Sequence, residues 1–178
     1  AGGGAALLLW AAGSAGLAAV AAVLAVSAAG FLLWNWPPAR IFMGDVGSGT
    51  LGFTFGVLAL ASERAAAVPA AAWLILLAAF ILDTTFTLLR PMADGERWYT
   101  AHRSHAYQRA VQSGLTHQRV TAAVAVVNVV VLWPAALAAM RVPALQPWLV
   151  LAVTLAGYAV WRMVQRRWRR ISAARGAA

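Results

Sequence analysis

Residues 5–33 read AALLLWAAGSAGLAAVAAVLAVSAAGFLL without one ionisable side chain, and the first charge of the chain is Arg40. A bilayer core of about 30 Å needs about 20 apolar residues at about 1.5 Å each, so this stretch can span it. It is too long and too rich in Ala and Gly for a signal peptide, and no basic segment precedes it. Outward from it, apolar runs recur at Thr50–Ala61, Ala66–Leu89, Val120–Met140 and Leu145–Met163. Ala and Leu dominate these runs and favour helix. The alternation that a β-barrel needs is absent. The pattern predicts an all-α, polytopic integral membrane bundle of about five transmembrane helices, at 5–33, 48–62, 66–90, 120–140 and 145–164. Residues 34–47 and 91–119 form the long loops, 165–178 a basic tail, and residues 1–178 a single transmembrane domain.

Composition excludes several classes. Of the 178 residues, 62% are hydrophobic and 11% charged, against about 45–50% and about 25% for soluble domains. Disorder needs the opposite composition. The chain has no cysteine, which removes disulfide scaffolds, thiolate metal sites and cysteine nucleophiles. The net charge of +9 comes from fourteen arginines and no lysine. In a soluble protein it would suggest nucleic acid; in a membrane protein it is first topology. With five alternating helices, one face receives Arg40, Arg90, Arg97, Arg103, Arg109, Arg119 and the six tail arginines from Arg162 to Arg175. The other receives Arg64 and Arg141. The positive-inside rule makes the first face cytoplasmic, with the N-terminus outside and the C-terminus inside. The tail, with Trp161 and Trp168 among its arginines, reads as an anchor on anionic lipid rather than a nucleic-acid site.

The two cytoplasmic loops carry the chemistry. The first reads NWPPARIFMGDVGSGT over 35–50. Pro37 and Pro38 stop the first helix, and the following glycines let the backbone approach a ligand. Asp45 is a hard oxygen donor at the mouth of the next helix, whose amides favour phosphate. Mg²⁺ uses one or two carboxylates with phosphate oxygens. Helix N-capping explains Asp45 equally in kind. The second loop, from Arg90 to His117, contains His102, Arg103, His105, Tyr107 and Gln108. Its cationic and neutral donors suit a polyanion at the membrane surface, or else only set topology. His102 and His105 can share a helical face, but as a zinc pair they lack a third ligand. Asp83, seven residues before Arg90, is an intramembrane acid and a functional candidate by default. A structural partnership with Arg90 or a neighbouring Thr is the alternative. Gly52 and Gly56 have GxxxG spacing, which close helix packing explains.

Residues 35–48 and the run AHRSHAYQ at 101–108 resemble two motifs of the polyprenyl-phosphate N-acetylhexosamine-1-phosphate transferases. That family includes phospho-MurNAc-pentapeptide translocase and the enzymes that start O-antigen and related cell-wall glycans; the second motif takes the glycan-initiating form. The resemblance covers most of the chain but only the C-terminal half of the family's usual length. It implies a bacterial inner-membrane enzyme moving an N-acetylhexosamine 1-phosphate from a UDP-sugar to undecaprenyl phosphate, with release of UMP. It also implies Mg²⁺, with Mn²⁺ as the alternative ion, and leaves a homodimer open. Carried over by motif, Asp45 ligates the metal, His105 and Arg103 bind the diphosphate, Arg90 and His102 assist, and Asn35 positions the nucleotide. Many relatives have a His-x-His-His cluster where this chain has His105, Tyr107 and Gln108; the last two can still hydrogen-bond phosphate. The family's upstream aspartate motifs are missing, so the chain is expected to be the C-terminal part of a longer enzyme and inactive alone. The alternative is a non-catalytic membrane module that binds polyprenyl lipid or a partner protein.

Overall fold

The computed structural model of the chain describes residues 1–36, 39–41, 43–93 and 105–176. Among them there are helices and connections and no strand, as an all-α bundle requires. In chain order they are α1 (Gly2–Ala11), α2 (Ala15–Asn35), α3 (Gly44–Arg64), α4 (Ala70–Leu76) and α5 (Ala78–Ala93). Then follow α6 (Ala106–Gln112), α7 (His117–Val127), α8 (Trp133–Arg141) and α9 (Gln146–Gly176).

Several boundaries differ from the sequence expectation, each for a local reason. The helix expected over 5–33 is the α1–α2 hairpin. Gly13, with φ of 76°, supplies a left-handed turn that costs glycine little, and Gly2 then packs against Ala25. The helix expected over 66–90 breaks at Leu77, where α4 and α5 bend by 76°. No proline or glycine marks the break. Instead Trp73, Ile75 and Leu76 are buried, with α4 packed chiefly on α8, while α5 follows α9. Packing overrides helix continuity there. α7 and α8 form one span through a π-helical turn at Asn128–Leu132. Pro134 lacks the N–H that would close the regular ladder, and such widened turns accommodate the loss. The expected tail from 165 is not separate, because α9 runs unbroken from Gln146 to Gly176. The expected loop over 91–119 contains α6.

Three helical segments among the described residues are long and apolar enough to cross a membrane: α2, α7–α8 and α9. The bent α4–α5 pair makes a fourth when taken as one span. These three or four candidate spans among the described residues agree with the expected all-α membrane bundle, where about five had been expected. α1 has ten residues, about 15 Å of rise. α3 is long enough at 21 residues but carries glycines and hydroxyls. Thr50 and Thr54 each donate a hydroxyl to the carbonyl one turn back, at 2.7 Å, the usual way for such residues to sit in a helix. Gly52 and Gly56 meet no atom that a Cβ would touch, so the close packing expected at this GxxxG spacing is not made among the described residues.

The core lies where α1, α2, α4 and α8 meet, around Leu9, Ile75, Leu76 and Ala136. Ser62 joins the α3–α4 corner to it. Its hydroxyl accepts the Trp73 indole N–H at 2.7 Å and lies 3.2 Å from the Val68 carbonyl. Gly4 is the tightest point: a Cβ there would stand 2.7 Å from Trp133 Nε1 and 2.9 Å from Leu76 Cδ2. Gly4→Val is therefore expected to destabilise by about 1–3 kcal/mol. Gly16→Val, which meets no atom within 4 Å, is the control. Thermal unfolding in detergent reads the difference, and equal melting temperatures would refute the packing argument.

α5 and α9 run side by side in the same direction, and this pair positions the site. Leu82 lies against Gly157, where a Cβ would come within 2.5 Å of Leu82 Cδ1. One turn on, Phe86 packs edge-on to Tyr158 with centroids 5.2 Å apart and tilted to Trp161 at 6.0 Å. The Trp161 indole donates to Thr87 Oγ1 at 3.3 Å.

Candidate functional site

Asp45 lies in the first turn of α3, after the N-cap residue Met43, and no side chain caps this helix. The capping role that the sequence allowed is thus not the one it has. Gly44 enters the helix at φ of 68°, which glycine tolerates and which puts Asp45 one step inside. The carboxylate is exposed at the positive end of the helix dipole, where an anion is favoured and a phosphate would meet free amides. Asn35 ends α2, and its Oδ1 is buried with no hydrogen-bond partner among the described residues. A buried acceptor left unmade costs about 1–3 kcal/mol, so this atom is suited to a ligand donor.

A second cluster joins α5 to α6. Asp83 Oδ1 accepts the Ala106 backbone N–H at 2.7 Å, and its Oδ2 lies 3.4 Å from His105 Nδ1. Asp83 therefore acts as a cap from outside the helix, holding the start of α6 against α5. Its described partners are His105 and this amide, rather than the Arg90 or threonine that the sequence suggested. Tyr107 stacks on His105 with centroids 5.7 Å apart. Gln108 Nε2 donates to Tyr107 Oη at 3.3 Å, while its Oε1 is buried without a partner among the described residues. The His105, Tyr107 and Gln108 side chains thus form one row from the start of α6. Arg90 stands near the end of α5. His102 and Arg103 lie outside the described residues.

These clusters sit on separate supports. α3 packs on α2 and α4, whereas α6 packs on α9 and α7. Among the described residues no group of three or more His, Asp or Glu is placed to hold a metal. Asp45 can give one carboxylate, which fits the way Mg²⁺ binds when phosphate and water supply its other oxygens.

Arg109 was counted in the sequence only as charge. It is 9% exposed, its Cζ lies 4.2 Å from the centroid of the Trp168 ring, and its Nε and Nη1 have no hydrogen-bond partner among the described residues. Burial, then the nearby Arg90 and Arg169, pull its pKa down to about 10, so it stays cationic at neutral pH. Because the folded value is below the usual guanidinium range, folding is penalised wherever Arg109 is charged, and the penalty fades as pH rises through about 10. Arg109→Met is expected to raise the melting temperature at neutral pH, since replacing such a charge by an apolar isostere is neutral or stabilising. A fall of several degrees would overturn this. The helical spacing of Arg162, Arg166 and Arg169 beside Trp161 was the signal that could have placed these residues together.

Residues 2–63 match the family described as Glycosyl transferase family 4. The chain is 34% identical over 94 residues to the probable undecaprenyl-phosphate N-acetylglucosaminyl 1-phosphate transferase of Bacillus subtilis, covering 52% of this chain and 26% of that protein. It is 37% identical over 67 residues to the phospho-N-acetylmuramoyl-pentapeptide-transferase of Moorella thermoacetica, covering 38% of this chain and 20% of that one. The enzyme of the same name from Maricaulis maris is 40% identical over 55 residues, 31% of this chain and 15% of its own. The aligned segments thus span about a quarter or less of each relative. No solved structure matches. The family match covers α1 to α3 and so includes Asn35 and Asp45, while His105 lies beyond it. On these matches the chain is similar, over part of its length, to the bacterial polyprenyl-phosphate hexosamine-1-phosphate transferases that its first loop resembles.

Proposed function

We propose that this chain is part of a membrane enzyme that transfers an N-acetylhexosamine 1-phosphate from a UDP-sugar to undecaprenyl phosphate. The observation that carries this reading is the first turn of α3, where an exposed aspartate sits among amides that favour phosphate, inside the segment matched to the family. An oxygen of the lipid phosphate attacks the sugar-bearing phosphorus, the bond to the bridging oxygen breaks, and UMP departs. Two polyanions must meet, so the protein's work is placement and charge neutralisation. Asp45 would hold a Mg²⁺ ion, which neutralises charge on the phosphates when bound. His105, with Arg103 and Arg90, would hold the diphosphate, assisted by His102, Tyr107 and Gln108. The Asn35 Oδ1 acceptor, unpartnered in the structure, would take a donor from the nucleotide.

In this reading Asp45, His105 and the basic end of α9 face the cytoplasm, where UDP-sugars are found, and the product begins a cell-surface glycan. The 178-residue chain supplies one carboxylate at the first loop, and we infer that it does not turn over alone. UMP release should require both the UDP-sugar and undecaprenyl phosphate with the full-length protein, and be absent with residues 1–178. Failure of the full-length protein to release UMP from any UDP-N-acetylhexosamine would sink the reading in favour of a non-catalytic module. A reporter fused after Arg103 should score cytoplasmic; a periplasmic signal would reverse the orientation.

A further inference from the structure

Beyond Leu82 and Gly157, α5 and α9 open into a cleft of about 520 Å³. Phe86, Tyr158 and Trp161 line its apolar side, and Arg90, Arg162, Arg166 and Arg169 line the other. Among the described residues no carboxylate lines it. Arg162 Nη1 donates to Tyr158 Oη at 3.1 Å, which turns one arginine across the aromatic wall. Arg109 stands beside this group, buried, with two N–H-bearing nitrogens unpartnered among the described residues, and close enough to Arg90 and Arg169 for their charges to act on it. Like charges gathered in partly desolvated surroundings repel one another unless an anion joins them. Arginine is the side chain suited to phosphate, through its planar fork of donors.

The position of the cleft narrows the kind of anion. Its walls straddle the point where α9 passes from an apolar stretch ending near Met163 into the arginine-rich segment. An occupant therefore meets aromatic surface on one side and guanidinium groups on the other, the arrangement of a membrane interface. Neither Asp45 nor any residue of 105–108 lines the cleft.

We propose that the α5–α9 cleft is a binding site for the phosphate headgroup of an anionic phospholipid, whose chains leave along Phe86 and Leu89. The cleft shares Arg90 with the proposed diphosphate cradle, but its test alters only α9 residues and measures lipid binding rather than turnover.

The test uses the full-length protein in nanodiscs of mixed phosphatidylglycerol and phosphatidylcholine, followed by detergent extraction and native mass spectrometry of retained lipid. Arg162→Gln/Arg166→Gln should lower retained phosphatidylglycerol about tenfold or more. Arg167→Gln/Arg170→Gln removes the same charge from residues that do not line the cleft and should leave retention near the parent's. Equal loss in the two double variants would mean unspecific attraction to the tail and would overturn the site. The melting temperature of each variant shows that the comparison is between folded proteins. If Arg162→Gln/Arg166→Gln does not fold, Trp161→Phe with Arg166→Lys is substituted, and parent-level retention in it overturns the proposal. Inorganic phosphate separates the two sources of the group. Failure of excess phosphate to displace the lipid supports a tailed ligand. Phosphate binding in all-neutral discs without retention of phosphatidylglycerol would assign the arginines to a soluble anion and overturn the lipid site.

Discussion

Asp45→Asn should lower UDP-sugar-dependent UMP release by the full-length protein about 150-fold, the equivalent of about 3 kcal/mol of transition-state stabilisation. The substitution keeps the size of the side chain and removes the negative charge that a hard divalent cation needs. Its effect on folding should be small, because Asp45 is exposed and caps nothing; only the favourable charge at the start of the helix is lost, about 0.3–1 kcal/mol. The expected result is therefore a large loss of rate with little change in melting temperature. The loss should be partly recovered by raising Mg²⁺ if Asp45 acts chiefly on metal affinity, and not recovered if it acts on placement of the bound ion. Activity within about threefold of the parent would remove Asp45 from the metal site, since a direct ligand cannot be that cheap to lose.

The membrane character of the fold was legible because it rests on composition: a run such as residues 5–33 can be buried only in lipid or in a large core. The breaks inside those runs were less legible. Gly13 gave a signal that was open to reading, and so did Pro134, which stands just after the π-helical turn. The 76° bend at Leu77 gave none. It comes from the burial of Trp73 and Leu76 against other helices, a tertiary effect that local periodicity does not carry. At the site, Asp45 could be placed because a glycine-rich helix start is a local pattern. Pairing Asp83 with His105 could not, since the two are 22 positions apart and meet only because the start of α6 comes back beside Asp83. Arg90 and the α9 arginines are further apart still, and charge counting assigned them to a side of the membrane rather than to one cleft.

Asp83 gives the second large effect, and two substitutions separate its two contacts. Asp83→Asn can keep an oxygen for the Ala106 N–H, now 2.7 Å from the carboxylate, but loses the charge facing His105 Nδ1 at 3.4 Å. Asp83→Ala loses both, leaving an amide at the start of α6 without its acceptor. The Ala variant should therefore cost about 1–3 kcal/mol in stability, while the Asn variant should unfold close to the parent. In activity the two should be alike. A carboxylate facing one ring nitrogen of a histidine favours a proton on that nitrogen and leaves the other to face outward, here toward the diphosphate that His105 is proposed to hold. Removing an orienting partner of this kind typically costs about 10- to 100-fold. Asp83 acts through His105 and not on the substrate, so it is a positioning residue. Its loss should appear mainly in kcat, with KM for the UDP-sugar changed far less, and should add little to the effect of His105→Ala in the double variant. Independent, additive losses would show that Asp83 does no more than anchor α6, and an Asn variant as unstable as the Ala variant would show that the charge itself holds the helix in place.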